Sequence, residues 1–87
     1  MNSNKINILF LLTTNRVNKA GKCSMKCRLT FKKMRKEFST GLLIKKEHWN
    51  SKKQKVLSDA ENYEFTNTQL SLIKSKINQA FLMLQIQ

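Results

Sequence analysis

The sequence predicts an α+β fold: a three-stranded antiparallel sheet, in meander order, packed against one C-terminal α-helix. Three observations carry this. Residues 23–31 (CSMKCRLTF) alternate between apolar and polar side chains at every one of nine positions, the period of a strand with one buried and one wet face. Two further apolar segments flank it at short loop distance, which favours sequential antiparallel pairing. From about residue 62 the apolar spacing changes to steps of three and four, the signature of an amphipathic helix.

The first strand covers about residues 5–14 (KINILFLLTT). Ile6, Ile8, Phe10 and Leu12 share one phase, but Leu9 and Leu11 make the other phase apolar too. Length and the polar segment that follows, rather than period, favour a strand here. Residues 15–22 (NRVNKAGK) read as a polar hairpin loop in which Gly21 can take positive φ. The second strand, 23–31, turns Cys23, Met25, Cys27, Leu29 and Phe31 inward and Ser24, Lys26, Arg28 and Thr30 outward. Lys32-Lys33-Met34 forms a short connection to a third strand at 35–44 (RKEFSTGLLI). There Phe38, Thr40 and Leu42 face one way, and Arg35, Glu37, Ser39 and Gly41 the other. Residues 45–57 (KKEHWNSKKQKVL) read as a polar connection. Trp49 within it is expected to close the core at the end of strand three, and His48 to be a surface-loop histidine.

Ser58-Asp59-Ala60-Glu61 has the S-x-x-E form of a capping box, a helix start with a mechanism. Thr66-Asn67-Thr68-Gln69 offers a later start. Tyr63, Leu70, Ile73, Ile77, Phe81 and Leu84 then mark the apolar stripe of a helix over about 62–86, with Ala80 alongside. Such a helix is too weak to stand alone and must lay its stripe on the inner face of the sheet. The expected core is Ile8, Phe10, Leu12, Met25, Cys27, Leu29, Phe38, Leu42, Leu70, Ile73, Ile77 and Phe81.

The chain has 87 residues, 40% of them hydrophobic, and a net charge of +12. That length gives one small domain with a modest core, a poor host for a large catalytic cleft. The charge is uneven. Fifteen of the 17 basic residues and two of the five acids lie in residues 1–55, a local charge of +13, and residues 56–87 carry −1. A cationic surface on that scale implies a polyanionic partner, which also relieves its self-repulsion. The apolar run from Ile6 to Leu12 is too short to cross a bilayer, which needs about 20 apolar residues. The Thr13-Thr14-Asn15-Arg16 after it lacks the small-residue cleavage site of a signal peptide.

No enzyme constellation is visible. The five acids are scattered and no carboxylate pair suits general acid–base work. Neither phosphate-loop glycine motif is present. Cys23 and Cys27 have only His48 as a further soft ligand, one short of a tetrahedral metal set. In a strand their Cα atoms would lie about 13 Å apart, beyond disulfide reach, so two reduced thiols are expected. The chain therefore calls for no cofactor and no metal.

The wet sheet face carries the positive signal. Lys26, Arg28 and Thr30 alternate on the central strand, with Arg35, Glu37 and Ser39 beside them and Thr13 on strand one. Arg16, Lys19, Lys22, Lys32 and Lys33 lie on the loops at the two ends. The major groove of DNA, about 12 Å wide, admits such an element. A central arginine can contact guanine with two hydrogen bonds, and loop lysines can hold phosphates and set the register. Recognition of RNA bases by stacking is disfavoured, because Phe31 and Phe38 fall on the buried phase.

These residues resemble a known family. The run KINILFLL, the loop ending Gly21-Lys22, the strand MKCRLTF, the segment RKEFSTG, then Trp49-Asn50 and Asn67-Thr68-Gln69-Leu70 are similar to the N-terminal arm-type DNA-binding domain of tyrosine recombinases. The likeness is greatest to integrases of Bacteroides-type mobile elements and covers nearly the whole chain. The resemblance implies a three-stranded sheet that enters the major groove of arm-type sites and supports site-specific recombination. Lys26, Arg28, Thr30, Arg35, Glu37 and Ser39 match its binding face. It also implies a bacterial, cytoplasmic, nucleoid-associated protein, and a chain that is the non-catalytic N-terminal part of a longer recombinase, with core-binding and catalytic domains downstream. A second reading is a small basic protein-interaction module that uses the helix face, with non-specific nucleic-acid binding, because Phe65, Leu72, Met83 and Ile86 lie off the main helical stripe. A binder of anionic membranes is disfavoured, since no basic amphipathic helix is present.

Overall fold

The alternation of residues 23–31 becomes a central strand whose inward side chains Cys23, Met25 and Cys27 are all buried. The computed structural model describes residues 6–86, with side chains as far as Met83. Lys5, expected in strand one, and the side chains of Leu84 and Ile86 lie outside the described residues. Three strands, β1 (Asn7–Val17), β2 (Lys22–Phe31) and β3 (Met34–Lys45), form an antiparallel sheet in the order β1-β2-β3. A short 3-10 turn (Lys46–His48) leads into two-residue strands β4 (Trp49–Asn50) and β5 (Lys55–Val56), and the chain ends in α1 (Tyr63–Ile86). The α+β class, the meander and the C-terminal helix are as the sequence predicts.

The core joins sheet, small hairpin and helix. Phe10, Met25, Cys27, Ile44, Val56 and Leu70 form its buried cluster. Ile8, Leu12, Leu29, Leu42, Trp49, Tyr63, Ile73 and Ile77 pack against it. Phe81 reaches the end of β2, its ring edge-to-face with Phe31 at 4.8 Å and 74°. Both cysteines are free and buried, and burial raises the Cys27 thiol pKa, which keeps it protonated.

Several expectations need correction. Phe38 is 41% exposed rather than buried. It pairs with Cys27 and so shares the inner face, but β3 is an edge strand. Its neighbour on that face, Lys36, is exposed as well, so the first half of β3 is open to solvent on both sides. Residues 45–57 are not merely a polar connection: they hold the 3-10 turn and the β4–β5 hairpin, and Val56 is in the core. His48 is half-buried in that turn, and its carbonyl accepts from Leu57 N–H at 2.8 Å. Trp49 does pack on the core, from β4 rather than from the end of β3.

The helix uses neither suggested start. Ser58 to Glu61 lie in turns, with Ala60 N–H bonded to Leu57 C=O at 3.0 Å. Asn62 at φ 57° breaks helical geometry just ahead of Tyr63. Strand one runs on to Val17 through an irregularity between Leu12 and Val17, so the loop shrinks to Asn18–Gly21. Asn18 closes it, its side-chain oxygen accepting from Ala20 N–H (3.0 Å) and Lys22 N–H (2.8 Å), with Gly21 at φ 80°. Arg16 is thus a strand residue, and Lys22 begins β2.

Two side-chain amides fasten the small hairpin. Gln54 Oε1 accepts from Phe10 N–H at 2.6 Å, and its Nε2 donates to Phe10 C=O at 3.1 Å. Asn67 does the same for Val56: its Oδ1 accepts from Val56 N–H at 2.8 Å and its Nδ2 donates to Val56 C=O at 3.0 Å. Each amide takes the place of a neighbouring strand. A two-stranded hairpin this short has no stability of its own. Asn67→Ala is expected to lower stability by about 1–3 kcal/mol, the cost of leaving partly buried backbone groups unpaired. Urea unfolding followed by circular dichroism should show a lower midpoint at an unchanged m-value.

Candidate nucleic-acid interface

Register places the outward side chains in cross-strand rows. Asn7, Thr30 and Arg35 form one row, Leu9, Arg28 and Glu37 the next, and Leu11, Lys26 and Ser39 the third. At about 4.8 Å between strands the three strands span about 10 Å, and the rows run about 13 Å along β2. The surface therefore matches a major groove about 12 Å wide. Its β1 side is apolar: Leu9 is exposed, beside the half-buried Leu11. Its β2–β3 side is cationic.

One irregularity shapes the far end. Between Ser24 and Lys26 on β2, the facing stretch of β3 runs from Leu43 to Ser39 and carries a bulge. Gly41 there has φ 79°, which glycine adopts without penalty. Met25 pairs with Leu12 on β1 but has no residue opposite it on β3; its carbonyl instead accepts from Thr40 Oγ1 at 2.9 Å, and the same oxygen of Thr40 accepts from Leu42 N–H at 3.2 Å. The F-S-T-G segment is thus a bulge built from a hydroxyl and a glycine.

Arg28 and Glu37 are bonded to each other, Nε to Oε2 at 2.7 Å. This is the one salt bridge among the described residues. The Arg28 hydrogen bond holds the Glu37 carboxyl below the ordinary carboxylate range, against desolvation, with help from the charges of Arg28, Lys26 and Arg35. The pair persists through that range and is lost only as pH falls through the lowered value. The bond uses Nε, and no hydrogen bond among the described residues engages the terminal guanidinium nitrogens. Glu37 thus holds Arg28 through its Nε alone.

Lys32 and Lys33 form the β2–β3 turn, at φ 47° and 68°. Two consecutive positive φ values mark the hairpin turn that favours Asn-Gly. A lysine in that region costs on the order of 1 kcal/mol. Lys32 Nζ lies 5.3 Å from the Phe31 ring centroid, a cation–π contact that offsets part of the cost. The chain thus keeps two exposed cations at the tip of the sheet where an uncharged turn would be more stable.

The remaining expected residues are dispersed. Lys19 is in the β1–β2 loop, Lys22 pairs with Lys45, and Thr13 and Arg16 lie in the irregular end of β1. Lys22 and Lys32 are at opposite ends of β2, about 30 Å apart at ~3.3 Å per residue. The sheet therefore brings together Lys26, Arg28, Thr30, Lys32, Lys33, Arg35, Glu37 and Ser39, and leaves Thr13, Arg16, Lys19 and Lys22 at the other end. Sequence reasoning left out the exposed Lys36, Lys45, Lys46, Lys52, Lys53 and Lys55. Their charge was visible, but their placement depends on the hairpin. No group of three or more metal-ligating side chains occurs among the described residues, and no described helix is long and apolar enough to cross a membrane.

Residues 10–87 match the family model of the arm DNA-binding domain. The chain belongs to this family. An arm DNA-binding domain is a non-catalytic module whose partner is DNA. Neither a curated protein nor a solved structure gives a match to the chain.

The strained turn gives one test. Replacing Lys32-Lys33 with Asn-Gly should raise stability by about 1 kcal/mol or more in urea unfolding while weakening DNA binding. The log–log salt slope of binding should flatten by up to about 1.8, at about 0.9 for each phosphate no longer neutralised. Glu37→Gln gives a second. It should raise affinity for mixed-sequence duplex, by removing a negative charge, while lowering discrimination between sites, because Arg28 is no longer oriented.

Proposed function

We propose that this arm domain binds double-stranded DNA sequence-specifically at arm-type sites, by inserting its three-stranded sheet into the major groove. The observation that carries the reading is the outer face itself. It is groove-sized and cationic, and its single acid already holds the central arginine in place. Arg28 presents its free terminal nitrogens to a guanine edge, and Lys26, Thr30, Arg35 and Ser39 make the neighbouring base or backbone contacts. Lys32 and Lys33 hold phosphates at the tip. Thr13, Arg16, Lys19 and Lys22 meet the duplex on a separate stretch, given their distance along β2. Leu9 and Leu11 offer apolar contact of the kind a thymine methyl accepts.

The binding serves site-specific recombination by a tyrosine recombinase in a bacterial cytoplasm. In this reading the 87 residues are the N-terminal portion of a longer chain with core-binding and catalytic domains downstream. A second reading rests on its own observation. Phe65, Leu72, Leu82 and Met83 are exposed on α1, more apolar surface than a helix with one buried face needs. Concentration-dependent association in sedimentation would favour it.

The deciding experiment is an NMR titration with duplex DNA. Shifts concentrated in residues 24–39 support the sheet as the contact, and shifts concentrated on α1 overturn it. Arg28→Ala should cost about 1–3 kcal/mol at the cognate site and relax preference at one base pair. A uniform loss over all sequences would make Arg28 a phosphate contact instead.

A further inference from the structure

Part of the positive charge of residues 1–55 lies off the outer sheet face. Lys52 and Lys53 sit in the four-residue turn between β4 and β5, and Lys55 opens β5; all three are exposed. None of them has a salt-bridge partner among the described residues. The turn is held rigidly. Asn50 Oδ1 accepts from Lys53 N–H at 2.9 Å, and Gln54 Nε2 donates to Ser51 C=O at 2.8 Å. Gln54, at φ 56°, accepts a strained backbone while its amide grips both backbone groups of Phe10.

That grip sets where the lysines stand. Phe10 lies between Leu9, which pairs with Arg28, and Leu11, which pairs with Lys26. The turn is therefore level with the two central cations of the outer face, beyond the β1 edge. From the axis of β2, β1 is one strand spacing away and the Gln54 amide about one more, roughly 10 Å in all, with the Gln54 backbone a side chain's length further out. A major groove about 12 Å wide, centred on β2, has its wall about 6 Å from that axis. The turn thus stands outside the wall, set back from the phosphate ridge by a distance that a lysine side chain can cross.

We propose that Lys52, Lys53 and Lys55 form a second phosphate-contact site that brackets the groove from the β1 side, with Gln54 as its positioning residue. The inference rests on the proposed groove insertion and adds a contact outside the sheet. It accounts for an otherwise costly arrangement, since three unpaired cations and a left-handed glutamine are carried on a turn fixed to the sheet edge.

The test is the salt dependence of binding to a mixed-sequence duplex, read by fluorescence anisotropy, which needs no knowledge of the target site. The variant Lys52→Ala/Lys53→Ala/Lys55→Ala should flatten the log–log slope by up to about 2.7, at about 0.9 per phosphate released. Lys74→Ala/Lys76→Ala, on the helix, serves as the control for reduced charge alone and should keep the wild-type slope. Gln54→Gly removes the amide but no charge, and should flatten the slope by about 1 or more if it retains the wild-type circular dichroism. A triple variant that keeps the wild-type slope, or changes it no more than the helix control does, overturns the inference and leaves groove insertion standing. A wild-type slope near zero overturns groove insertion, and the bracket with it.

Discussion

The Gln54 amide takes both backbone groups of Phe10, and the Asn67 amide takes both backbone groups of Val56. These four hydrogen bonds link three pieces that main-chain pairing does not join: the edge of β1, the β4–β5 hairpin and α1. Val56 then enters the core beside Phe10 and Leu70. A short hairpin cannot persist alone, and an amphipathic helix needs a surface to cover. Each amide supplies what a missing strand would, and the core closes around them. An amide also protects an edge: a strand with unpaired N–H and C=O groups invites pairing with another chain, and Gln54 occupies that position at Phe10.

With the inner face of β1 and β2 taken up by packing, the outer face of the sheet is left to electrostatics. Its centre is a cation and an anion bonded at 2.7 Å, a pair worth little to stability at a surface. Its effect is one of orientation, since an arginine whose Nε is held presents its remaining nitrogens in one plane. The Lys32-Lys33 turn follows the same logic. The backbone there wants residues tolerant of positive φ, and the lysines remain at a cost that folding alone does not explain. Two of the four described non-glycine residues at positive φ, Lys32 and Lys33, thus lie on the surface proposed to meet DNA, while the core is conventionally apolar.

Strand two was legible because nine alternating residues admit one phase, and an error of one residue would bury Lys26 and Arg28. The helix was legible from Leu70, Ile73 and Ile77 at steps of three and four. The wet face followed from the alternation, so Lys26, Arg28, Thr30, Arg35, Glu37 and Ser39 were placed together by sequence reasoning. Phe38 was misplaced because phase says which side a residue faces and not whether anything covers that side. The β4–β5 hairpin was missed because its strands are two residues long, too short for any period, and its stability comes from Gln54 and Asn67, which find partners 44 and 11 residues away.

What the sequence determined by itself was the set of local periodicities and the imbalance of charge: three strands, one helix, a cationic half and the family they resemble. Those properties depend on neighbours in the chain, and neighbours are visible in a sequence. Only the tertiary structure decided which cations share a surface, that Arg28 is tied to Glu37, and that Lys52, Lys53 and Lys55 stand beside the sheet edge. Each of those depends on register and on long-range hydrogen bonds, which arise when distant segments meet and leave no periodic trace along the chain.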